Sequence, residues 1–258
     1  MKGNKYFLYN LGLLLIGVLC FALAHPTDLC NSGLPFLSYF AFIPIFLLTQ
    51  RASWKSVWIY GFAYGTLGYC VFVSWLATFN PASMPVIAGM YGLYLMVAFP
   101  LMKAVATFFP KYKAFAQWVV WCAYEYVKTL GFSGFHYGVT AYSHWQFIPF
   151  IQAASLVGVF GLSAVLTFPS AWFTAVINDE SKSWKEKFLN HKISAIIWLL
   201  VYVFVLIFGF VSQKDYSNYE TRKVALIQTN SDPWVGGEQA YEKDLDILIK
   251  QSDLALEN

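Results

Sequence analysis

The stretch WVVWCAYEYVKTLGFSGFHYGVTAYSHWQFIPFIQAASLVGVFGLS, residues 118–163, decides how the rest of the chain is interpreted. It begins as an apolar helix with one carboxylate, Glu125, and continues as a connection rich in glycine and aromatic residues. A second apolar helix follows and carries Gln152 in its first turn. A carboxylate within an apolar helix is costly in lipid, so it marks a polar cavity or a functional contact by default. The simpler alternative is a helix hairpin whose one glutamate reaches the membrane surface.

The composition places most of the chain in lipid. Of the 258 residues, 58% are hydrophobic and only 12% are charged, whereas soluble domains have about 25% charged residues. The net charge of +3 is too small and too dispersed to indicate a nucleic-acid partner. The four cysteines form neither a CxxC pair nor a ligand spacing with histidine, so no metal site is expected.

Seven apolar stretches precede a change in composition, and about 20 apolar residues are enough to span a bilayer. We therefore predict an α-helical polytopic membrane domain over residues 1–212 with about seven transmembrane helices. The second and fifth stretches are short, so they are expected to be tilted, kinked at Pro44 or partly re-entrant. The stretches are 6–24, 34–49, 56–79, 84–109, 114–130, 151–177 and 193–211.

The N-terminal stretch also has the basic start of a signal peptide. Its apolar core is longer than the usual 7–15 or so residues, which favours an uncleaved first helix. His25, next to Pro26 at the end of this stretch, is interpreted as an interfacial residue at a helix end in preference to a chemical group.

Basic residues gather in alternate connections, which predicts the orientation. The connections 24–33, 80–83 and 131–150 contain no lysine or arginine. The positive-inside rule puts the other side, and with it the N-terminus, in the cytoplasm. With seven spans, everything after about Ser212 then lies outside, in a periplasm-like space. The basic side holds ten of the 17 lysines and arginines, namely Lys2, Lys5, Arg51, Lys55, Lys111, Lys113, Lys182, Lys185, Lys187 and Lys192.

The tail, residues 213–258, has a different pattern. A β-branched and apolar run over 222–230 predicts a short buried strand, and the Pro and Gly residues of 232–237 predict a loop. Apolar residues at helical spacing over 238–258 predict an amphipathic helix. Together these make one βα unit of an α/β domain. The unit is incomplete, because the strand has no sheet partner and the helix has nothing to cover its apolar stripe.

The order of residues in the 118–163 stretch resembles the membrane domain of bacterial apolipoprotein N-acyltransferases. In the tail, VALIQTN followed by a tryptophan loop is similar to the opening of the family's nitrilase-like domain. The matching positions in the long stretch are Trp121, Glu125, Tyr126, Lys128, Gly134, Phe135, Tyr142, Ser143, Ile151, Gln152, Gly158, Gly161, Leu162 and Ser163.

The resemblance implies an enzyme of the bacterial inner membrane that needs no cofactor. It would transfer a fatty acyl chain from a phospholipid to the α-amine of the diacylglyceryl-cysteine of lipoproteins. Family members use a Glu-Lys-Cys triad that, by this resemblance, lies beyond Asn258. The chain is then expected to be a truncated, split or inactive form, with a second chain as one possible source of the remainder of the nitrilase-like domain. The candidates for the substrate or lipid lining are Glu125, His136, Tyr137, Gln152 and Trp234.

Two other functions compete with acyl transfer. The chain could be a non-enzymatic accessory protein of the membrane that binds lipid or lipoprotein. A transporter is the weakest alternative, because the sequence has neither an internal repeat nor paired broken helices.

Overall fold

The computed structural model describes residues 2–131, 134–231 and 236–256, and its regular structure is helical. The chain divides into two units, Met1–Gln213 and Lys214–Asn258. Short 3-10 turns lie at Pro35–Tyr39, Pro110–Tyr112 and Thr140–His144. The helices are α1 (Lys2–Ala24), α2 (Ile43–Arg51), α3 (Val57–Phe72), α4 (Leu76–Phe79), α5 (Ser83–Phe108), α6 (Lys113–Val127), α7 (Ile148–Gln152), α8 (Ala154–Asn178), α9 (Trp184–Asn190), α10 (Lys192–Val211) and α11 (Glu238–Leu256).

Four helices of the described chain have the length and apolar composition to cross a membrane: α1, α5, α8 and α10. The protein is therefore a multi-pass membrane protein, but the predicted number of seven is supported only in part. The 15 residues of α6 extend about 23 Å, less than the roughly 30 Å of a bilayer core. The second predicted stretch is divided into a 3-10 turn and the nine-residue α2, and each begins at a proline or one residue before it.

The contact between α3 and α5 depends on glycines. A Cβ added at Gly61 would lie 2.3 Å from the Leu95 carbonyl oxygen, and one at Gly65 would lie 2.4 Å from that of Tyr91. Small residues four apart allow two membrane helices to approach backbone to backbone. The sequence GFAYG at 61–65 therefore lets α3 pack closely on α5, and one hydrophobic core forms around this pair, α1, α2 and α6.

Met1–Gln213 is called the membrane unit below, and its second half is organised around α8. Gly158 has φ 69° and ψ 172°, a backbone conformation essentially restricted to glycine, and it kinks the helix near its start. A second core joins α7, α8 and α10. Gly209 of α10 packs against the Pro149 carbonyl, and the Trp198 indole donates to the Val165 carbonyl oxygen at 2.8 Å.

The membrane unit has two chemically different ends. At one end, which we call the loop end, residues 25–31, 72–75 and 137–145 line a common cleft. At the other, which we call the basic end, the connection 110–113 lies beside residues 178–194. Gln50 joins this end through a 3.0 Å hydrogen bond from the Asn178 amide. Connections 24–33 and 131–150, which are predicted to share a side, thus lie together, as do 110–113 and 179–192.

The second unit contains the predicted helix as α11, but the strand predicted over 222–230 is wrong. These residues have no regular secondary structure, and Val224 and Leu226 are 85% and 98% exposed. A strand needs hydrogen bonds from a neighbour, and in the described part of the chain the β-type pairing is an isolated bridge between Thr27 and Cys30. Without a sheet, the apolar run stays unpaired.

Candidate functional site

Glu125 lies in the last turn of α6 and is buried at the loop end. Its Oε1 accepts hydrogen bonds from the Thr140 backbone N–H at 3.0 Å and from the Thr140 hydroxyl. A buried carboxylate is stabilised by such donors, since it loses its hydration on burial. Glu125 therefore binds the connection between α6 and α7.

Lys128 follows three residues later on the same face and is also buried. Its Nζ donates to the Tyr69 hydroxyl at 3.1 Å and to the Gly138 carbonyl oxygen at 2.8 Å. The rings of Tyr69, Tyr91 and Tyr124 surround the ammonium with centroids 5.7–5.9 Å away. These cation–π contacts and two hydrogen bonds replace the hydration that the charge loses on burial.

His25 approaches the same connection from the end of α1. One ring nitrogen, Nδ1, lies 3.0 Å from the Phe21 carbonyl oxygen, and Nε2 lies 3.3 Å from that of Val139. Burial lowers the pKa of His25, which favours the neutral ring. Both nitrogens face carbonyl oxygens, and a neutral ring carries one N–H, so it donates to only one of the two carbonyls at a time. The ring lies between two backbone segments and is poorly placed as a general base.

Two further side chains complete the attachment. The Tyr91 hydroxyl donates to the Phe135 carbonyl oxygen at 2.8 Å, and Ser163 Oγ accepts from the Ala141 N–H at 3.0 Å. Side chains at the end of α1 and on α5, α6 and α8 thus bind the backbone of residues 135–141. We call this set of five side chains the clamp: His25, Tyr91, Glu125, Lys128 and Ser163.

The clamp holds one wall of a cleft of about 630 Å³ at the loop end. The Trp75 and Tyr137 rings lie 5.8 Å apart across it, and Ser74 holds Asp28 by a 2.6 Å hydrogen bond. Aromatic walls with a few polar groups suit an amphipathic ligand. The residues that line the cleft are His25, Pro26, Thr27, Asp28, Asn31, Phe72, Trp75, Tyr137, Gly138, Tyr142 and Trp145.

The five predicted lining residues lie in different places. Tyr137 lines the cleft, and His136 is exposed next to it. Glu125 is buried behind the cleft wall and does not line it, and Gln152 is half-buried at the last position of α7. Trp234 lies outside the described residues. Their common role as a lining stays a prediction.

Sequence reasoning missed most of the clamp. The sequence indicates His25 only as a residue at a helix end, and Lys128 only as a position that matches the family. A signal was present, since Glu125 and Lys128 are one helical turn apart in an otherwise apolar helix. Two charges on one face predict a common polar environment, although not which backbone atoms supply it.

The lining of the cleft limits its chemistry. Among the cleft residues within the described chain there is no cysteine, and His25 is held between carbonyls. The described residues also bring together no group of three His, Cys, Asp or Glu side chains that could hold a metal ion. The arrangement is suited to binding and orienting a ligand.

Comparison with known proteins gives the family. A family model described as "Apolipoprotein N-acyltransferase N-terminal domain" matches residues 16–172. This range includes the clamp and the whole cleft, and it covers more than half of the chain.

Curated relatives match over nearly the whole chain. "Apolipoprotein N-acyltransferase 1" of Treponema denticola is 34% identical over 99% of this chain and 48% of the relative. The protein of the same name from Treponema pallidum is 39% identical over 95% of this chain and 46% of the relative. "Apolipoprotein N-acyltransferase" of Geobacter metallireducens is 23% identical over 89% of this chain and 45% of the relative. The chain thus spans about half the length of these relatives, and it belongs to the apolipoprotein N-acyltransferase family.

Proposed function

We propose that this chain forms the membrane part of a lipoprotein N-acyltransferase. The reaction would move a fatty acyl chain from a phospholipid to the α-amine of the diacylglyceryl-cysteine of a lipoprotein. The observation that carries the proposal is the family match over residues 16–172, which includes every residue of the clamp and the cleft.

Two steps, implied by the family resemblance, balance the reaction. A cysteine thiolate attacks the ester carbonyl of the phospholipid, so a thioester forms and a lysophospholipid leaves. The free amine of the acceptor then attacks the thioester, so an amide forms and the thiolate is released. By resemblance the thiolate, its glutamate base and the lysine that stabilises the oxyanion belong to the nitrilase-like part. We propose that this part is supplied by further sequence or by a second chain, and that no cofactor takes part.

The role proposed for the present chain is to bind and orient the lipid. The cleft offers Tyr137 and four other aromatic residues beside Asp28 and Asn31, which suits the glycerol and headgroup region of a lipid. We place His136 at its edge as a polar contact and Glu125 behind it as the group that fixes the wall. Gln152 and Trp234 remain candidates for contacts with substrate.

The chain is proposed to cross the inner membrane seven times, with α2, α3 with α4, and α6 as short, tilted or kinked crossings. The N-terminus would lie in the cytoplasm and Lys214–Asn258 in the periplasm. The absence of lysine and arginine from connections 24–33, 80–83 and 131–150 supports this orientation. Cysteines introduced at Ser83 and at Ser183 should then react with a membrane-impermeant maleimide from opposite sides.

The proposal is tested by a chimera. Residues 1–213 are joined in register to the second half of the Treponema denticola relative and expressed in a bacterium whose own enzyme is switched off. We expect a lipoprotein to gain one acyl chain at its N-terminus, measured by mass spectrometry. The control carries alanine in place of the catalytic cysteine of the added half. A chimera that inserts in the membrane and transfers no acyl chain contradicts the proposal.

Glu125→Ala in the same chimera tests the clamp. We expect transfer to fall while membrane insertion persists, because the cleft wall loses its anchor at Thr140. Val119→Ala, an exposed position on the same helix, is the matched control. A non-enzymatic accessory role is the second candidate, and the aromatic and polar lining of the cleft, suited to binding a lipid, is compatible with it. That role predicts lipid binding by this chain without transfer by the chimera.

A further inference from the structure

The basic end carries an excess of positive charge that the proposed reaction does not use. The connections 110–113 and 179–192 contain six lysines and three carboxylates. They adjoin a cavity of about 780 Å³. Its polar lining includes two lysines and two carboxylates, together with two amides: Lys111, Lys113, Asp179, Glu180, Asn178 and Asn190.

One of the three carboxylates, that of Asp179, is already hydrogen-bonded within the protein. Asp179 accepts from the Ser181 N–H at 2.8 Å and from the Asn190 amide at 3.1 Å, and it lies 3.3 Å from the His191 ring. The hydrogen bonds from Ser181 and Asn190 lower the pKa of Asp179, so it stays ionised. It organises the turn into α9. Glu180 and Glu186 are exposed and balance only part of the lysine charge.

The opposite side of this cavity is apolar. Phe115, Ala175, Ile193 and Ile197 also line it, and Ile193 and Ile197 are more than half exposed. The cavity therefore has a polar mouth between two connections that together carry an excess of lysine, and an apolar wall that continues along α10. A free phosphate would use only the mouth, whereas a phospholipid would use both parts.

Helix α9 is expected at a bilayer surface, because both of its neighbours have the length to cross a membrane. It connects α8 and α10, two helices long enough to cross a membrane, and it is seven residues long. Phe188 packs against Trp172 with ring centroids 5.4 Å apart, whereas Trp184 and Leu189 are 60% and 48% exposed. Exposed aromatic and aliphatic side chains among lysines are typical of a segment at the membrane interface.

We propose that the basic end binds an anionic phospholipid of the bilayer, with the lipid phosphate between the 110–113 connection and the start of α9. Lys111 and Lys113, which line the cavity, contact the phosphate, and Lys182 and Lys185 of the adjoining 179–192 connection approach it from the start of α9. The acyl chains lie along Ile193 and Ile197. The site is separate from the cleft at the loop end and does not depend on the proposed reaction.

The test uses the purified full chain with equal amounts of phosphatidylglycerol and phosphatidylcholine. Native mass spectrometry measures the ratio of the two lipids that remain bound. We expect a preference for phosphatidylglycerol that falls about five-fold for each lysine replaced. The variants are Lys111→Gln with Lys113→Gln, and Lys182→Gln with Lys185→Gln. Lys243→Gln with Lys250→Gln removes the same charge from exposed positions on α11 and should leave the preference unchanged.

Lipid held at the loop end contributes equally to all these proteins, so the difference between variants reports the basic end. Equal preference in the three double variants overturns the proposal. Inorganic phosphate at millimolar concentration should not displace phosphatidylglycerol, and displacement would assign the site to a soluble anion instead. A melting temperature in phosphatidylcholine that matches the unmodified chain checks that each variant is folded.

Discussion

Lys128 carries a positive charge into an apolar bundle, where two hydrogen bonds and three tyrosine rings replace its hydration. Its ammonium holds the Tyr69 hydroxyl and the Gly138 carbonyl, while Glu125 holds Thr140 on the same connection. Buried charges of this kind add little net stability compared with apolar side chains, but losing one partner is costly. The clamp therefore determines where the connection lies more than how stable the bundle is.

Lys128→Met tests this at the level of one residue. We expect a loss of roughly 3 kcal/mol or more, because Glu125 and the Gly138 carbonyl keep their burial and lose a buried countercharge or donor. The free energy of unfolding in detergent measures the loss, and proteolysis within residues 134–147 should become faster. Lys55→Met, at an exposed position, is the control. Equal stability of the two variants would contradict the clamp.

His144 predicts a pH dependence. Burial lowers its pKa to about 4 from the ordinary 6.5, and the nearby His25 contributes in the same direction. Between these two values the unfolded chain binds a proton at His144 and the folded chain does not. The free energy of unfolding therefore falls as pH drops from 6.5 towards 4. The slope contributed by this residue is at most about 1.4 kcal/mol per pH unit.

Melting temperatures between pH 7.5 and pH 5 measure this effect. His144→Gln should flatten the dependence in part, since His25 still contributes, whereas His136→Gln, at an exposed position, should not. If the pH dependence of the melting temperature is unchanged in His144→Gln, groups other than His144 control the loss of stability at low pH.

Some of these side-chain contacts are predictable from the sequence, and others are not. The carboxylate in an apolar helix indicates a polar cavity or a functional contact; the structure places Glu125 in a buried contact with Thr140, and its functional role stays a prediction. Its partner Thr140 is 15 residues away across a connection without regular spacing, so periodicity gives no register for that pair. His25 and Val139 are 114 residues apart, and only the packing of α1 against the connection brings them together.

At the scale of elements, helix existence follows from apolar length, and helix shape follows from single residues. The apolar stretch 151–177 predicts one long helix, but Gly158 leaves the helical region of φ and ψ and bends it. Stretch 56–79 likewise separates into α3 and α4. Such breaks depend on packing that hydropathy does not encode, although the GxxxG pattern at 61–65 does indicate the close α3–α5 contact.

Gly65→Ala tests that contact. The new Cβ would lie 2.4 Å from the Tyr91 carbonyl oxygen, so the helices must separate, at a cost of roughly 1–3 kcal/mol. Gly89→Ala on α5 is the matched control, because nothing lies within 4 Å and alanine favours helix by up to about 1 kcal/mol. Thermal unfolding in detergent compares them, and a Gly65→Ala variant as stable as Gly89→Ala would contradict the packing.

Gly158→Ala tests the kink separately from packing. Nothing lies within 4 Å of the added methyl group, so the whole cost is conformational, roughly 1–3 kcal/mol at φ 69°. Gly12→Ala in α1 also meets nothing within 4 Å and has ordinary helical φ, so it should be neutral or slightly stabilising. The difference in unfolding free energy between the two variants measures the strain.

At the scale of the whole molecule, each of the two units has its own physical character. The membrane unit buries two apolar cores, whereas α11 in the unit Lys214–Asn258 has no buried residue among those described. The change in composition near residue 213 was readable from sequence. The absence of a strand over 222–230 could not be predicted from the sequence, because an apolar run becomes a strand only when a neighbour pairs with it.

Limited trypsin digestion of the full chain should therefore cut first at Arg222 or Lys223. The backbone there lacks regular structure, and the apolar side chains beside it are exposed. Cleavage in the 179–192 connection should be slower, since α9 is held by Phe188 on Trp172. Mass spectrometry of the earliest fragments gives the order, and a first cut after Lys182 or Lys185 would reverse it.

The clamp also has a consequence for biosynthesis. The aromatic partners of Lys128, Tyr69 on α3 and Tyr91 on α5, are synthesised before it, so they can be in the membrane when α6 leaves the ribosome. Thr140, the partner of Glu125, is synthesised afterwards. Lys128 can thus contact tyrosine rings that are already in the membrane. Glu125 can bind its donor only after about 15 further residues have been translated. We therefore expect insertion of α6 to precede docking of the connection, which supplies Thr140 to Glu125 and the Gly138 carbonyl to Lys128.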